Sequence, residues 1–344
     1  MRHILKNVHS INKYLLLATK LSSIMSVSEM SLPPAKLRSN VEHLEQIPGR
    51  SVEYSNDVVF LKPSNLSING SHKDACAKEN KILVYFGGDV QDLSNKMQIH
   101  RDNKKYIKWS LEETAILLSR AYPSHSIMVI RPNRMERSTF SCYDNFVESN
   151  FCGAPTHLTE KVVKESNLTS CGHALLQIKS LIYNVFRSND NLEEGSIDLK
   201  LTLIGFSKGV VVLNQVLHDL HLLNNKVTVS ESEKLYRFSE QIERMIWLDG
   251  GHNGGKDTWI TDEAVLETLA TKTNITVEIK VTPYQVKDDM RPWIGKEEKR
   301  FRNILGTKFD LLASNRLKRK LYFEEDERNI DNHFKILTTL SCDN

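Results

Sequence analysis

An α/β fold with a mostly parallel central sheet and helices on both faces is what this chain predicts, on three observations. Short, almost wholly apolar runs alternate with amphipathic stretches from Lys81 to the C-terminus, which is the rhythm of βαβ units. The pentapeptide Gly205-Phe206-Ser207-Lys208-Gly209 falls directly between an apolar run and an apolar helix. A histidine, His333, comes one loop after the last apolar run. The second observation narrows the class to the α/β-hydrolase fold, because G-x-S-x-G at a strand-to-helix turn is that fold's nucleophile elbow.

Taken in order, residues 1–40 read as a leader and linker. From Met1 to Ser28 there is no acidic residue, while Arg2, Lys6, Lys13 and Lys20 are spread among Ile, Leu, Val and Ser. That is the pattern of a mitochondrial presequence, with the matrix as the expected compartment. A secreted protein is the competing expectation, because N-x-S/T sequons occur at Asn65, Asn69, Asn167 and Asn274. Ser31 to Arg50 is polar and holds Pro33, Pro34 and Pro48, which predicts a linker. Val52 to Leu61 alternates and is β-branched, so a hairpin or edge strand is expected. Lys81 to Phe86 is a buried parallel strand ended by Gly87-Gly88.

A helix is expected over Tyr106–Ala121, a strand over His125–Ile130 and a helix over His173–Phe186. The elbow strand is Leu199–Ile204 and its helix Val210–Leu223. Ile242–Leu248 is the next strand. Thr261 is placed to cap a helix through Ala270, with Asp262 and Glu263 in the first turn, where the helix dipole favours them. Ile275–Val281, Glu297–Leu312 and Leu317–Phe323 read as strand, helix and strand, and a closing helix opens near His333. One domain over 41–344 is implied, with the irregular stretch 131–170 as a possible cap or lid.

Composition excludes more than it assigns. With 46 basic and 43 acidic residues the net charge is +3, too balanced for a nucleic-acid footprint. Two basic spots, Lys299–Arg302 and Arg316–Lys320, are interrupted by apolar residues and read as solvated faces. No run is long and apolar enough to span a bilayer. Five cysteines (Cys76, Cys142, Cys152, Cys171, Cys342) are widely spaced with no C-x-x-C, which argues against a disulfide framework or zinc site. No H-E-x-x-H, Walker loop or G-x-G-x-x-G is present, so no metal or cofactor is expected.

The site follows from the elbow. Ser207 would occupy a strained turn that projects its hydroxyl, with the following helix aiming free N–H groups at the site. Backbone donors for an oxyanion are expected from Lys208 and from Gly88 or Asp89, in the loop after the first central strand. His333 is the expected base, with His252 its competitor. For the acid, Asp288 and Asp249 both follow strands, and the position after the later strand leans to Asp288 over Asp249. Such a constellation predicts acyl transfer to water from an ester, thioester or amide of a small-molecule or lipid-like acyl substrate. Basic residues at Lys208, Arg131 and Arg291 hint at an anionic group on it. A catalytically silent binding or regulatory protein of the same fold is the alternative, with a protein partner left unidentified.

Tyr85-Phe86-Gly87-Gly88-Asp89, Gly205-Phe206-Ser207-Lys208-Gly209, Trp247-Leu248-Asp249-Gly250-Gly251-His252 and Asn332-His333-Phe334 together resemble the animal chromosome 2 open reading frame 69 family. The resemblance covers nearly all of the chain after the leader. It implies a mitochondrial protein with an α/β-hydrolase-like domain, in which Ser207 and His333 fall on a presumed serine-hydrolase triad. It implies no substrate.

Overall fold

The computed structural model describes residues 38–63, 80–166, 173–190, 199–225 and 232–341, so the leader and Cys76, Cys171 and Cys342 lie outside it. In chain order the strands and helices begin with β1 (Glu42–Ile47), β2 (Asn56–Leu61) and β3 (Asn80–Phe86). Then come α1 (Ser94–Ile99), α2 (Leu111–Ala121) and β4 (Ser126–Ile130). Two small hairpins follow, β5 (Arg134–Glu136) with β6 (Phe140–Cys142) and β7 (Glu148–Ser149) with β8 (Pro155–Thr156). Next are α3 (Glu160–Ser166), α4 (His173–Asp190), β9 (Leu199–Phe206), α5 (Val210–Asn224) and α6 (Ser232–Ser239). The chain continues through β10 (Ile242–Leu248), α7 (Glu263–Lys272), β11 (Thr276–Val281) and α8 (Pro283–Val286). It closes with α9 (Pro292–Leu311), β12 (Leu317–Leu321) and α10 (Ile330–Lys335).

Eight strands form one sheet in the order β1-β2-β4-β3-β9-β10-β11-β12. From β4 to β12 every pair is parallel, while β2 runs antiparallel to both neighbours. This is the α/β-hydrolase architecture that the sequence predicts. The central strands read as unbroken apolar runs because both faces are covered. On one face Leu201, Leu203, Trp247 and Ile279 pack with Val212 and Val216 of α5 and Phe301 of α9. On the other, Tyr85, Ile204 and Ile246 pack with Leu118 of α2 and with Phe334 and Leu337 near the C-terminus. Helix α5 is buried on every side from Val210 to Leu223, which explains why its sequence is apolar all round.

Four local expectations change. Residues 42–47, inside the expected linker, are β1, an edge strand whose outward positions are polar and whose Leu44 and Ile47 pack on the core. The expected helix over 106–121 is split, with a 3-10 turn at Asn103–Trp109 and α2 starting after Ser110, whose hydroxyl accepts from Glu113 N–H. Helix α7 is capped by Asp262 rather than Thr261, because the Asp262 carboxylate accepts from Ala264 and Val265 N–H. Helix α9 starts at Pro292, where proline needs no intrahelical donor.

Truncating a fully buried side chain of β9 leaves a cavity between sheet and α5. Leu203→Ala is therefore expected to cost about 2–5 kcal/mol, measured as the loss of unfolding free energy in urea.

Candidate active site

Glycines at 205 and 209 allow strand and helix to meet. A Cβ at Gly205 would lie 2.8 Å from Val210 Cα, and one at Gly209 would overlap the carbonyl of Phe86 at the end of β3. Pinched between them, Ser207 has φ 52°, a left-handed conformation that costs a side-chain-bearing residue energy and marks functional turns. Its backbone is tied down by Gly251 N–H, which donates to Ser207 O at 3.2 Å. Gly88 lies against the serine, so that a Cβ there would come within 2.5 Å of Ser207 Cβ.

His333 sits on α10, whose N-cap Asn329 accepts from Asn332 N–H. Its ring is 4% exposed and stacked between Phe206 (4.6 Å between centroids) and Tyr284 (4.8 Å). The stack places the imidazole beside the elbow. Nδ1 lies 2.7 Å from Asp249 Oδ2. Asp249 is fully buried at the end of β10, with φ 46°. It also accepts from Thr282 N–H at 2.7 Å and from the Thr282 hydroxyl at 2.6 Å. Three donors on one carboxylate compensate its desolvation. With Nδ1–H on Asp249, Nε2 is the nitrogen left to act as a base. Among the described residues Ser207 Oγ has no hydrogen-bond partner.

The structure pairs His333 with Asp249 and stacks its ring on Phe206, the residue before Ser207, and the lean to Asp288 is corrected. Asp288 faces two guanidinium groups, Arg291 Nε at 2.7 Å and Arg328 Nη2 at 2.7 Å. Burial pushes its carboxyl up, but the hydrogen bonds from Arg291 and Met290 N–H and the charges of Arg291 and Arg328 together outweigh this and hold it below the usual value. Those arginines lie over the Tyr284 ring, 5.9 and 5.7 Å from its centroid. Asp288 thus braces the aromatic wall of the histidine. His252, the competing base, accepts from Gly254 N–H at 3.0 Å in its own glycine turn.

The oxyanion expectation is corrected in part. Gly88 N–H donates to Gln91 Oε1 at 3.0 Å, an oxygen that also accepts from the Tyr85 hydroxyl. Its donor is taken, which leaves the N–H groups of Asp89 and Lys208 as candidates. The hint of an anionic substrate fails too, since carboxylates answer all three basic residues. Lys208, 2% exposed, has Nζ 2.8 Å from Asp89 Oδ1. Arg131 pairs with Asp92 and Asp57, and Arg291 with Asp288.

Residues 131–166 lie against this end of the sheet. Lys208 Nζ donates to Cys152 O at 2.6 Å, Ser141 N–H to Asp89 Oδ1 at 2.8 Å, and the Tyr143 hydroxyl to Gly87 O at 2.9 Å. The sequence reading passed over Thr282, Gln91 and Tyr284. Only Thr282 leaves a trace, as an N-cap residue before Pro283 at the start of α8.

Relatives match most of the chain. A sequence profile of the C2orf69 family matches residues 43–197 and 159–310. A zebrafish (Danio rerio) protein named mitochondrial protein C2orf69 homolog is 35% identical over 303 residues, 86% of this chain and 84% of its own. The human protein named mitochondrial protein C2orf69 is 34% identical over 350 residues, covering 89% of this chain and 88% of its own. The chain belongs to the C2orf69 family. Solved structures resemble this family member only loosely. A Mycobacterium tuberculosis puromycin-hydrolyzing peptidase has TM-score 0.41 and 10% identity, covering 90% of this chain and 40% of that one. Poly(aspartic acid) hydrolase-1 from Sphingomonas sp. KT-1 has TM-score 0.41 and 11% identity, covering 87% and 97%. The fold of this C2orf69 relative is read from its own strand order, not from such distant likenesses.

Beside the site, burial holds His157 at about 3 and His218 and His252 at about 4. All three are neutral in the folded protein, whereas the unfolded chain protonates them below about 6.5. Their stabilisation is full above pH 6.5 and is lost as pH falls toward 4, by about 1.4 kcal/mol per pH unit for each imidazole. Asp219, which burial raises to about 6, works the other way and offsets one of them. Urea midpoints are accordingly expected to fall steadily from pH 6.5 to pH 5.

Proposed function

We propose that this protein is a mitochondrial serine hydrolase that works through an acyl-enzyme on Ser207. The observation that carries the reading is the buried Asp249–His333 pair at 2.7 Å beside a serine held at φ 52°. His333 Nε2 takes the Ser207 proton as Oγ attacks an ester or thioester carbonyl, and the imidazolium returns it to the alcohol or thiol that leaves as the acyl-enzyme forms. Asp249 holds the tautomer and stabilises the imidazolium. Asp89 and Lys208 N–H meet the oxyanion, helped by the positive end of α5. Residues 131–166 act as a cover that screens the site from bulk solvent, and His333 then activates a single water that attacks the acyl-enzyme and releases the acid. The relatives' names and the acid-free, basic leader support a mitochondrial location, and the leader supports the matrix. A catalytically silent binding protein is the second reading. It is favoured by one observation, that Ser207 Oγ has no hydrogen-bond partner among the described residues, although such bonds often tighten only with substrate.

Fluorophosphonate labelling separates the two. The wild type should label, and Ser207→Ala and His333→Ala should not. Asp249→Asn should label on the order of a thousandfold to ten-thousandfold more slowly. Asp288→Asn should stay within about tenfold of wild type, a loss of no more than about 1.4 kcal/mol in barrier. A folded wild type that does not label establishes the silent reading. Loss of labelling in Asp288→Asn with Asp249→Asn unaffected would overturn the assignment of the acid.

A further inference from the structure

The fold draws the two basic spots of the sequence together at one edge of the sheet. Strand β12 is the last strand on its side and pairs only with β11. Lys318, Arg319 and Lys320 on it are all exposed. Helix α9 brings Arg302 and the exposed Lys299 alongside. The junction is Glu298, 3% exposed, with Oε1 3.3 Å from Arg319 Nε and 3.7 Å from Arg302 Nε. On the sheet face, Lys318 and Lys320 border a groove of about 520 Å³ with Lys280 and Tyr322. Its buried acid, Glu278, is 3.4 Å from Arg244 and 3.8 Å from Lys280. Arg319 and Arg302 thus share the buried Glu298, and it is the exposed Lys318 and Lys320 that have no acidic partner among the described residues.

The turn from α9 into β12 carries Leu311 and Leu312, 78% and 48% exposed, with Asp310 the exposed acid beside them. Lysines on an edge strand also discourage edge-to-edge pairing. That function requires neither two bare leucines nor a second basic element.

We propose that this edge docks on an anionic phospholipid membrane. Leu311 and Leu312 enter the interface while the exposed Lys318, Lys320 and Lys299 meet the phosphate head groups. Apolar insertion and basic charge are each weak alone and bind stably together. Nucleic acid or a soluble acidic chain would use the charge but not the leucines.

The test is sedimentation of the full chain with vesicles of phosphatidylcholine alone or mixed with phosphatidylglycerol. Wild type should bind only the mixed vesicles and release them as salt rises. Lys318→Glu with Lys320→Glu should weaken binding by on the order of thirtyfold or more. Leu311→Ser with Leu312→Ser should weaken it while keeping the salt dependence. Circular dichroism checks that each variant is folded, and Lys318→Gln with Lys320→Gln replaces the reversal if it is not. No binding, or equal binding to phosphatidylcholine alone, overturns the proposal. So does unchanged binding by the lysine variants, which would assign it to the basic leader around Lys6 and Lys13. Leucine variants that bind like wild type, with polyglutamate holding the same site, would point to a soluble acidic partner and overturn it as well.

Discussion

Ser207 keeps its left-handed backbone because the first turn of α5 is pressed against the carbonyls of Phe86 and Gly87, where nothing larger than Gly209 fits. That contact joins the ends of β3 and β9 to one helix, and the remaining parts of the site take their positions from it. Gly88 is brought against the serine side chain, and Gly250 packs on Val210 in the same turn of α5. The helix must then be buried along its length, since the sheet lies under it and α4, α6 and α7 lie around it. Strain at one residue persists because burial over the whole helix stabilises the arrangement.

Asp249 and His333 show how a polar pair survives at such depth. Asp249 ends β10, but two of its three donors come from Thr282 at the end of β11. The register of those parallel strands, in which Leu248 faces Lys280, brings Thr282 level with the carboxylate. The chain position of an acid is therefore less informative than its depth. Asp288 lies six residues further along the same loop and reaches arginines instead of the histidine, yet its grip on Arg291 and Arg328 supports the Tyr284 ring. It belongs to the site through packing rather than through proton transfer.

What could be read in advance follows from these physical differences. Strands β3, β4, β9, β10 and β11 were legible because burial on both faces leaves an apolar run with sharp ends. Strand β1 was not, since half of its positions face water and only Leu44 and Ile47 signal the core. The serine and the histidine were legible because each must sit at a fixed place relative to a strand. The choice between Asp249 and Asp288 was not, because it depends on the pairing of β10 with β11. Gln91 had no sequence signal at all. A glutamine that fills a backbone donor with its side-chain oxygen looks like any other polar loop residue until the loop is folded.

The electrostatics at the elbow follow from the same enclosure. A lysine beside Ser207 invites the idea of an anion-binding cleft, but Lys208 is buried and its ammonium is divided between Asp89 and Cys152 O. An unanswered ammonium at that depth would cost far more than the pair does. Once Lys208 is paired, Asp89 can hold Ser141 as well, so one ion pair fastens residues 131–166 to the loop after β3. The cation next to Ser207 thus ties down residues 131–166 instead of standing free for a ligand. Under the proposed acyl-enzyme reading, recognition of the acyl group falls to the shape of the site and its backbone donors rather than to this lysine.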